Sequence, residues 1–291
     1  MVREGQVRGR YFLVGSARSG TTLLQAMLAS HSLIQSFPET HFFCELPSKG
    51  RRYRWGKLVS RKAGRSVLAN SLKVLGREDG DTAPRFSHRY RDFVRAFVRV
   101  LDGVTLEADK SVWLEKTPHH IDFIQQISGS VKGARFIHLV RDGRDVVASQ
   151  FDAMERNPDF WGKRTIDQMI ELWNSDLSVT ARYAGDPDHL IISYEDLLDG
   201  PEEVLRSCCS FMDVEYEPQM LQFQQNARSV AGWRSDHEYM RNVFGPLTDT
   251  RMAKFKTLLN PEQQEYIARR LNQGGDAKRA IEASNNVTWT R

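Results

Sequence analysis

Cysteine is scarce in this chain: three in 291 residues, at Cys44, Cys208 and Cys209. An odd count with two neighbours excludes a disulfide framework and fits reduced thiols in a cytoplasmic protein. Long apolar runs are missing too. No stretch reaches the ~18 consecutive apolar residues of a membrane-spanning helix, so no stable membrane insertion is expected. The opening MVREGQVRGR is charged and precedes no apolar segment of the secretory kind, although a trimmed leader would leave the same sequence. Charge of one sign is nearly balanced: Lys+Arg 41 against Asp+Glu 37 leaves +4. That permits an anionic ligand but falls short of what nucleic-acid binding wants, and no recognisable module for it is present. His and Cys show no zinc spacing and no aspartate-rich magnesium site is evident, so no metal is expected. Repeats and low-complexity linkers are absent. At 40% hydrophobic and 27% charged, the chain is not a disordered one, and its length supports a core of its own. A single domain over 1–291 is expected, with its core from about residue 10 to about residue 270 and a tail over 272–291.

What is present begins with Tyr11-Phe-Leu-Val14, a short apolar run that meets Gly15-Ser-Ala-Arg-Ser-Gly20 and then a helical segment, Thr21 to Leu28. This reads as strand, glycine-bounded loop, helix. Residues 134–140 and 189–193 read as two further strands, 165–183 as a long amphipathic helix, and Glu202 to Met212 as another helix. Asp142 and Asp145 suit the first turn of a helix after the second strand. Residues 45–110 read as helices and loops covering one side of a sheet. Strands alternating with helices predict an α/β fold, three-layered and P-loop-like, with a central parallel sheet flanked by helices. Ligands in such folds bind at the C-terminal strand ends, where the sharpest motifs lie.

Gly15-x-x-x-x-Gly20-Thr21-Thr22 has the glycine spacing of a nucleotide phosphate loop. Its glycines let backbone amides close around an anion, and the following helix adds its dipole. Thr21, however, stands where the loop lysine that reaches the outer phosphates of a triphosphate belongs. With Arg18 inside the loop and two hydroxyls after it, the set suits a shorter anion than ATP or GTP.

Arg18-Ser-Gly-Thr-Thr-Leu-Leu resembles the 5′-phosphosulfate loop of sulfotransferases that use 3′-phosphoadenosine 5′-phosphosulfate (PAPS). Arg141-Asp-Gly-Arg-Asp-Val-Val-Ala-Ser149 resembles that family's 3′-phosphate motif. Tyr194-Glu-Asp-Leu-Leu198, with Pro201-Glu-Glu and Phe211-Met-Asp-Val after it, resembles the following strand and helix. Arg251-Met-Ala-Lys254-Phe-Lys256 resembles the late basic segment, with Phe255 where Trp is more usual. The likeness spans about residues 10–270. Within the family it is closest to the branch of tyrosylprotein sulfotransferases and bacterial relatives, through Glu39-Thr40 at a fixed distance after Arg18 and through Glu115-Lys116-Thr117-Pro118.

The resemblance implies sulfonyl transfer from PAPS to an acceptor hydroxyl, in line, leaving 3′,5′-adenosine bisphosphate (PAP) and needing no metal. It implies Glu39 as general base, with Lys116 and Arg18 as electrophilic support. The donor would be held by Ser16, Arg18, Ser19, Gly20, Thr21 and Thr22 at the loop, by Arg141, Ser149 and Lys256 at the 3′-phosphate, and by Tyr194 beside the adenosine. Lys254 competes with Lys256 by charge. His41, which would face elsewhere in an extended segment, and His31, at the end of the first helix, are rival bases. Arg144 either shares the phosphate charge or pairs with an acid. His119 and His120 read as helix-start or acceptor-side residues. Trp113, Trp161, Trp173 and Trp233 read as core or acceptor wall, and the basic run 49–65 as a solvated face or an acceptor contact. Two rivals stay open: a P-loop nucleotide kinase, and a non-catalytic nucleotide-binding module of the same fold. Peptide tyrosine, sugar and small-molecule alcohol are all open as acceptors, with residues 42–110 and 225–250 shaping the pocket.

Overall fold

The computed structural model describes residues 6–46, 58–77, 84, 87–226, 252–271, 278–279 and 281–283. Five parallel strands form one sheet among them: β1 (Gly9–Val14), β2 (Ile34–Phe37), β3 (Val112–Lys116), β4 (Ala134–Val140) and β5 (His189–Ser193), in the spatial order β2-β3-β1-β4-β5. The register pairs Leu13 with Lys116, Val14 with His138 and Val140 with Ser193, so these strand ends share one edge.

Alternating side chains send the sheet's apolar residues to both faces. Phe12, Trp113 and Phe136 point to one face, where α3 (Arg61–Val74) and α4 (Tyr90–Glu107) cover them with Leu68, Phe93, Phe97 and Leu101. Tyr11, Leu13, Leu114, Ile137 and Leu139 point to the other, against α1 (Thr21–Ala29) and α10 (Pro201–Phe211). A third cluster joins α6 (Gly143–Arg156) and α8 (Ile166–Ala181) to the helices Ala253–Leu258 and Pro261–Leu271. The chain also forms α2 (Phe42–Glu45), α5 (Ile124–Ser128), α7 (Pro158–Trp161) and α9 (Tyr194–Asp199).

The three strands and the helices expected from the sequence are present. Strands β2 and β3 are additions. Ile34-Gln-Ser-Phe37 is too short and polar to stand out, and Val112-Trp-Leu-Glu-Lys116 ends in two charges that the fold nonetheless buries. All three cysteines are unpaired. Cys208 and Cys209 pack inside α10's apolar face, where burial pushes the Cys209 thiol up to about 11. No helix among the described residues is long and apolar enough to cross a membrane.

Candidate functional site

The glycine-bounded loop sits between β1 and α1 at the C-terminal edge of the sheet. A Cβ at Gly15 would come within 2.4 Å of the Leu139 carbonyl oxygen, and one at Gly20 within 2.4 Å of the Tyr194 ring. Gly20 also takes φ 96, in the left-handed region where glycine is unstrained. Arg18 adopts φ 76 without that freedom, a strained conformation of the kind that collects at functional sites. No side chain caps α1; the Leu23 and Leu24 amides bond the Gly20 carbonyl, which leaves those of Thr21 and Thr22 at the loop. Ser19 Oγ is buried there with no partner. Ser16 Oγ donates to Asp176 on α8 at 2.6 Å. Thr21 is buried, and Thr22 Oγ1 accepts from Lys116 Nζ at 3.4 Å.

The second motif begins where β4 ends. Asp142 caps α6 by accepting from the Arg144 amide and also holds the Arg144 guanidinium at 2.7 and 2.9 Å. Arg144 is thereby an acid's partner. Arg141 lies over the Tyr194 ring at 4.4 Å, pairs with Asp145 at 3.2 Å and donates to the Arg18 carbonyl at 3.4 Å, while its Nε is buried without a partner. Arg18 Nε donates to Ser149 Oγ at 3.2 Å, and its guanidinium lies 5.5 Å from the centre of the Trp161 ring. Loop and motif therefore meet. The late segment joins them through Asp145, which accepts from the Met252 amide at 2.8 Å. Lys254 is engaged by Asp152 at 2.5 Å, and Phe255 is buried in the core. The Lys256 side chain is exposed and makes no hydrogen bond or ion pair among the described residues.

The third group lies at the end of β3. Lys116, buried, forms a close ion pair with Glu39 Oε1. His41 Nε2 stands 3.4 Å from the other oxygen, Glu39 Oε2. The segment is not extended at His41: φ 49 turns the chain back and aims the ring at Glu39, contrary to the sequence expectation. Burial alone would raise the Glu39 carboxyl, but the charge and hydrogen bond of Lys116 overcome it and hold the group below the usual carboxylate range. Beside it, Glu115 is fully buried and accepts from Thr40 Oγ1 at 2.8 Å, Thr117 Oγ1 at 2.7 Å and His120 Nδ1 at 2.9 Å. The Phe43 amide donates to His120 Nε2 at 3.3 Å, which leaves the ring proton on Nδ1, facing Glu115. Burial pushes Glu115 up, yet His120 and the hydroxyls hold it down at about 2. This buried cluster ties the turn that carries Glu39 to the strand that carries Lys116.

Asp176 is the residue that sequence reasoning missed; Glu115 enters there only within its motif, and His41 only as a rival base. None carries a local signal: Asp176 lies inside an amphipathic helix, and Glu115 reads as the charged end of a segment. His31 does end α1, but its Nε2 bonds the Glu215 carbonyl at 2.7 Å, away from the site. Trp113 and Trp173 are core residues, while Trp161 faces Arg18. Trp233, Arg251, Lys49 to Lys57 and residues 227–250 of the second segment expected to shape the acceptor pocket lie outside the described residues. Arg61, Lys62 and Arg65 are exposed on α3. No group of three metal-ligating side chains occurs among the described residues.

An α/β fold with an anion loop lacking the triphosphate lysine, an arginine motif at the neighbouring strand end and a Lys–Glu pair at the end of β3 makes a candidate anion-binding site on one sheet edge. A sequence model of the sulfotransferase family matches residues 11–218, and the chain belongs to that family. An uncharacterized protein of Aquifex aeolicus is 24% identical over 88% of this chain and 34% of its own length. Protein-tyrosine sulfotransferase A of Caenorhabditis elegans is 23% identical over 74% of this chain and 52% of its own length; the Drosophila melanogaster enzyme is 26% identical over 74% and 40%. The chain thus spans about a third to a half of these relatives. Among solved structures, the sulfotransferase domain from the curacin biosynthetic pathway superposes with a TM-score of 0.60 at 21% identity, covering 92% of this chain and 98% of that one. A mouse sulfotransferase complexed with PAP gives 0.51 at 14% identity over 94% of this chain and 90% of that one. Both share the fold.

Proposed function

We propose that the protein moves a sulfonyl group from PAPS to an acceptor hydroxyl and releases PAP. The observation that carries this is the convergence on one sheet edge of the loop 15–22, the Arg141–Ser149 motif and the Glu39–Lys116 pair. The residues present fit such a donor. Ser19 Oγ and Arg141 Nε are buried without partners, and the space over Gly20 is closed to any side chain by Tyr194. The mouse relative bound to PAP supports the same donor class.

When bound, the donor supplies a sulfonyl group already activated by its bridge to a phosphate. The chain's own residues do the rest. The loop amides with Ser16, Ser19, Thr21 and Thr22 hold the anion, and Arg141 with Ser149 holds a second phosphate in a planar fork of donors. Arg18 is positioned by Ser149 between the two. Lys116 lies between Thr22 and Glu39, where its charge meets the negative charge that grows as the sulfonyl group departs. Glu39 is ionised at neutral pH and can accept the hydroxyl proton. Paired with Lys116 it is a weak base. As Lys116 swings its charge toward the donor, Glu39 is released and its basicity returns. The hydroxyl belongs to a peptide tyrosine, a sugar or a small alcohol; the protein-tyrosine sulfotransferase relatives support the first. A cytoplasmic location is part of the same proposal, supported by the three unpaired thiols.

Calorimetric titration with PAP, with AMP and ATP as controls, tests the donor. Micromolar PAP binding, with AMP and ATP weaker by about tenfold or more, is the expected result. Preference for ATP would favour a nucleotide kinase. Failure to bind PAP would remove the donor assignment.

A further inference from the structure

A carboxyl group stands beside the anion loop with no cation among the described residues to balance it. Asp176 on α8 accepts from Ser16 Oγ at 2.6 Å, while the Ser16 backbone carbonyl accepts from the Ser19 amide within the loop at 3.1 Å. Five neighbouring acids have a cation or a histidine, and Glu195 has two neutral donors. Asp142 pairs with Arg144, Asp145 with Arg141, Asp152 with Lys254 and Arg156, and Glu39 with Lys116. Glu115 has His120, and Glu195 accepts the Asp142 amide and the Ser193 hydroxyl.

Helix α8 packs chiefly on three elements; beyond them His138 of β4 bonds Thr180 Oγ1 at 3.1 Å and Lys278 lies 5.7 Å from the Trp173 ring centre. From the 3-10 turn Pro118–Phe123, Asp122 faces Asp176 with like charge, His120 is committed to Glu115, and His119 is held down chiefly by burial, with Glu39 the first charge to act on it. From α6, the charged side chains Arg144, Asp145, Asp152 and Arg156 are held in the pairs just named. From the helix Pro261–Leu271, Tyr266 and Arg270 reach Asp167, nine residues before Asp176 and about 13 Å away along the helix. No cation among the described residues reaches Asp176.

We propose that Asp176 couples filling of the anion loop to the uptake of one proton, so that the donor binds the form of the protein in which this carboxyl is neutral. This presupposes the donor site proposed above. An anion entering the loop places negative charge near the carboxylate and displaces water, and both favour its neutral form. Burial already pushes Asp176 up to about 7, against the Ser16 hydrogen bond and with the help of Asp122. In balance, one proton from solvent adds to a carboxylate oxygen of Asp176. The neutral acid then donates to Ser16 Oγ, and the Ser16 hydroxyl hydrogen turns toward the loop.

The sign follows from a raised carboxyl. Below about pH 7 the group is already neutral and binding takes up little; above it, each bound anion takes up a proton, and affinity falls by about tenfold per pH unit. PAP is titrated calorimetrically from pH 6.5 to 8.5 in two buffers of different ionisation heat. The wild type is expected to show net uptake approaching one proton per PAP above neutral pH, whereas Asp176→Asn shows none and keeps its affinity flat. Proton release from the ligand's own phosphates has the opposite sign and is common to both proteins. Ser16→Ala, which keeps the carboxyl but loses the bond that holds it down, moves the uptake to higher pH. PAP binding without uptake in the wild type, or equal uptake in Asp176→Asn, overturns the proposal and leaves the donor assignment standing. Absence of PAP binding overturns both.

Discussion

Glu39 and Glu115 both approach the end of β3, yet they are held in opposite ways. Glu115 is fully buried and bonded by two hydroxyls and a histidine ring, none of which can move without leaving a polar group unsatisfied. Glu39 keeps 30% of its side chain exposed and is held by a lysine and a histidine. Glu115 and Lys116 are adjacent on one strand, so the pleat sends them to opposite faces. The contrast separates two uses of one residue type. A carboxylate sealed among short, fixed donors organises the chain around it. One left at the mouth against a long, flexible cation remains free to exchange partners.

The largest effect that tests this division is on turnover. Glu39→Ala is expected to lower kcat by about 10²- to 10⁴-fold, the usual contribution of a positioned base. PAP affinity should stay within a few-fold, because Glu39 touches none of the donor-side groups except Lys116. Turnover surviving within a few-fold would move the base elsewhere, with His41 the nearest replacement.

The next effect is on stability and falls on the other carboxylate. Glu115→Ala strands the Thr40 and Thr117 hydroxyls and the His120 Nδ1–H in a buried space. A cost of about 3–5 kcal/mol is expected, read as a shift of the urea midpoint. Glu39→Ala should shift it by less, since its carboxylate is partly exposed and Lys116 keeps the Thr22 hydroxyl as a partner. Equal shifts for the two variants would erase the distinction. Acid unfolding probes the same group. Glu115 is held at about 2 in the fold, below its ordinary value of about 4.3. Its contribution is therefore present above about pH 4.3 and is lost as the pH falls toward 2. Glu115→Ala should flatten that part of the stability curve.

Much of the donor side was legible in the sequence because backbone geometry dictates it. Gly15 and Gly20 mark close approaches to Leu139 and Tyr194 that no side chain tolerates, and Asp142 announces a helix start. Glu39 and Lys116 were legible only through family spacing: nothing local distinguishes a glutamate in Pro-Glu-Thr from a helix cap. The rest depended on contacts between distant segments. Asp176 meets Ser16 across 160 positions of chain, and Glu115 meets Thr40 across 75.

The smallest effect concerns His41, which is held at φ 49 while its ring faces Glu39. A non-glycine residue in that region costs of the order of 1 kcal/mol, and glycine does not pay it. His41→Gly and His41→Ala both remove the ring, but only the glycine relieves the backbone. The glycine variant should therefore be more stable than the alanine variant by about 1 kcal/mol. If the ring serves Glu39, the two should lose the same few-fold in kcat despite that difference. A rate that follows stability instead would show that the turn matters and the imidazole does not, and Glu39 would then answer to Lys116 alone.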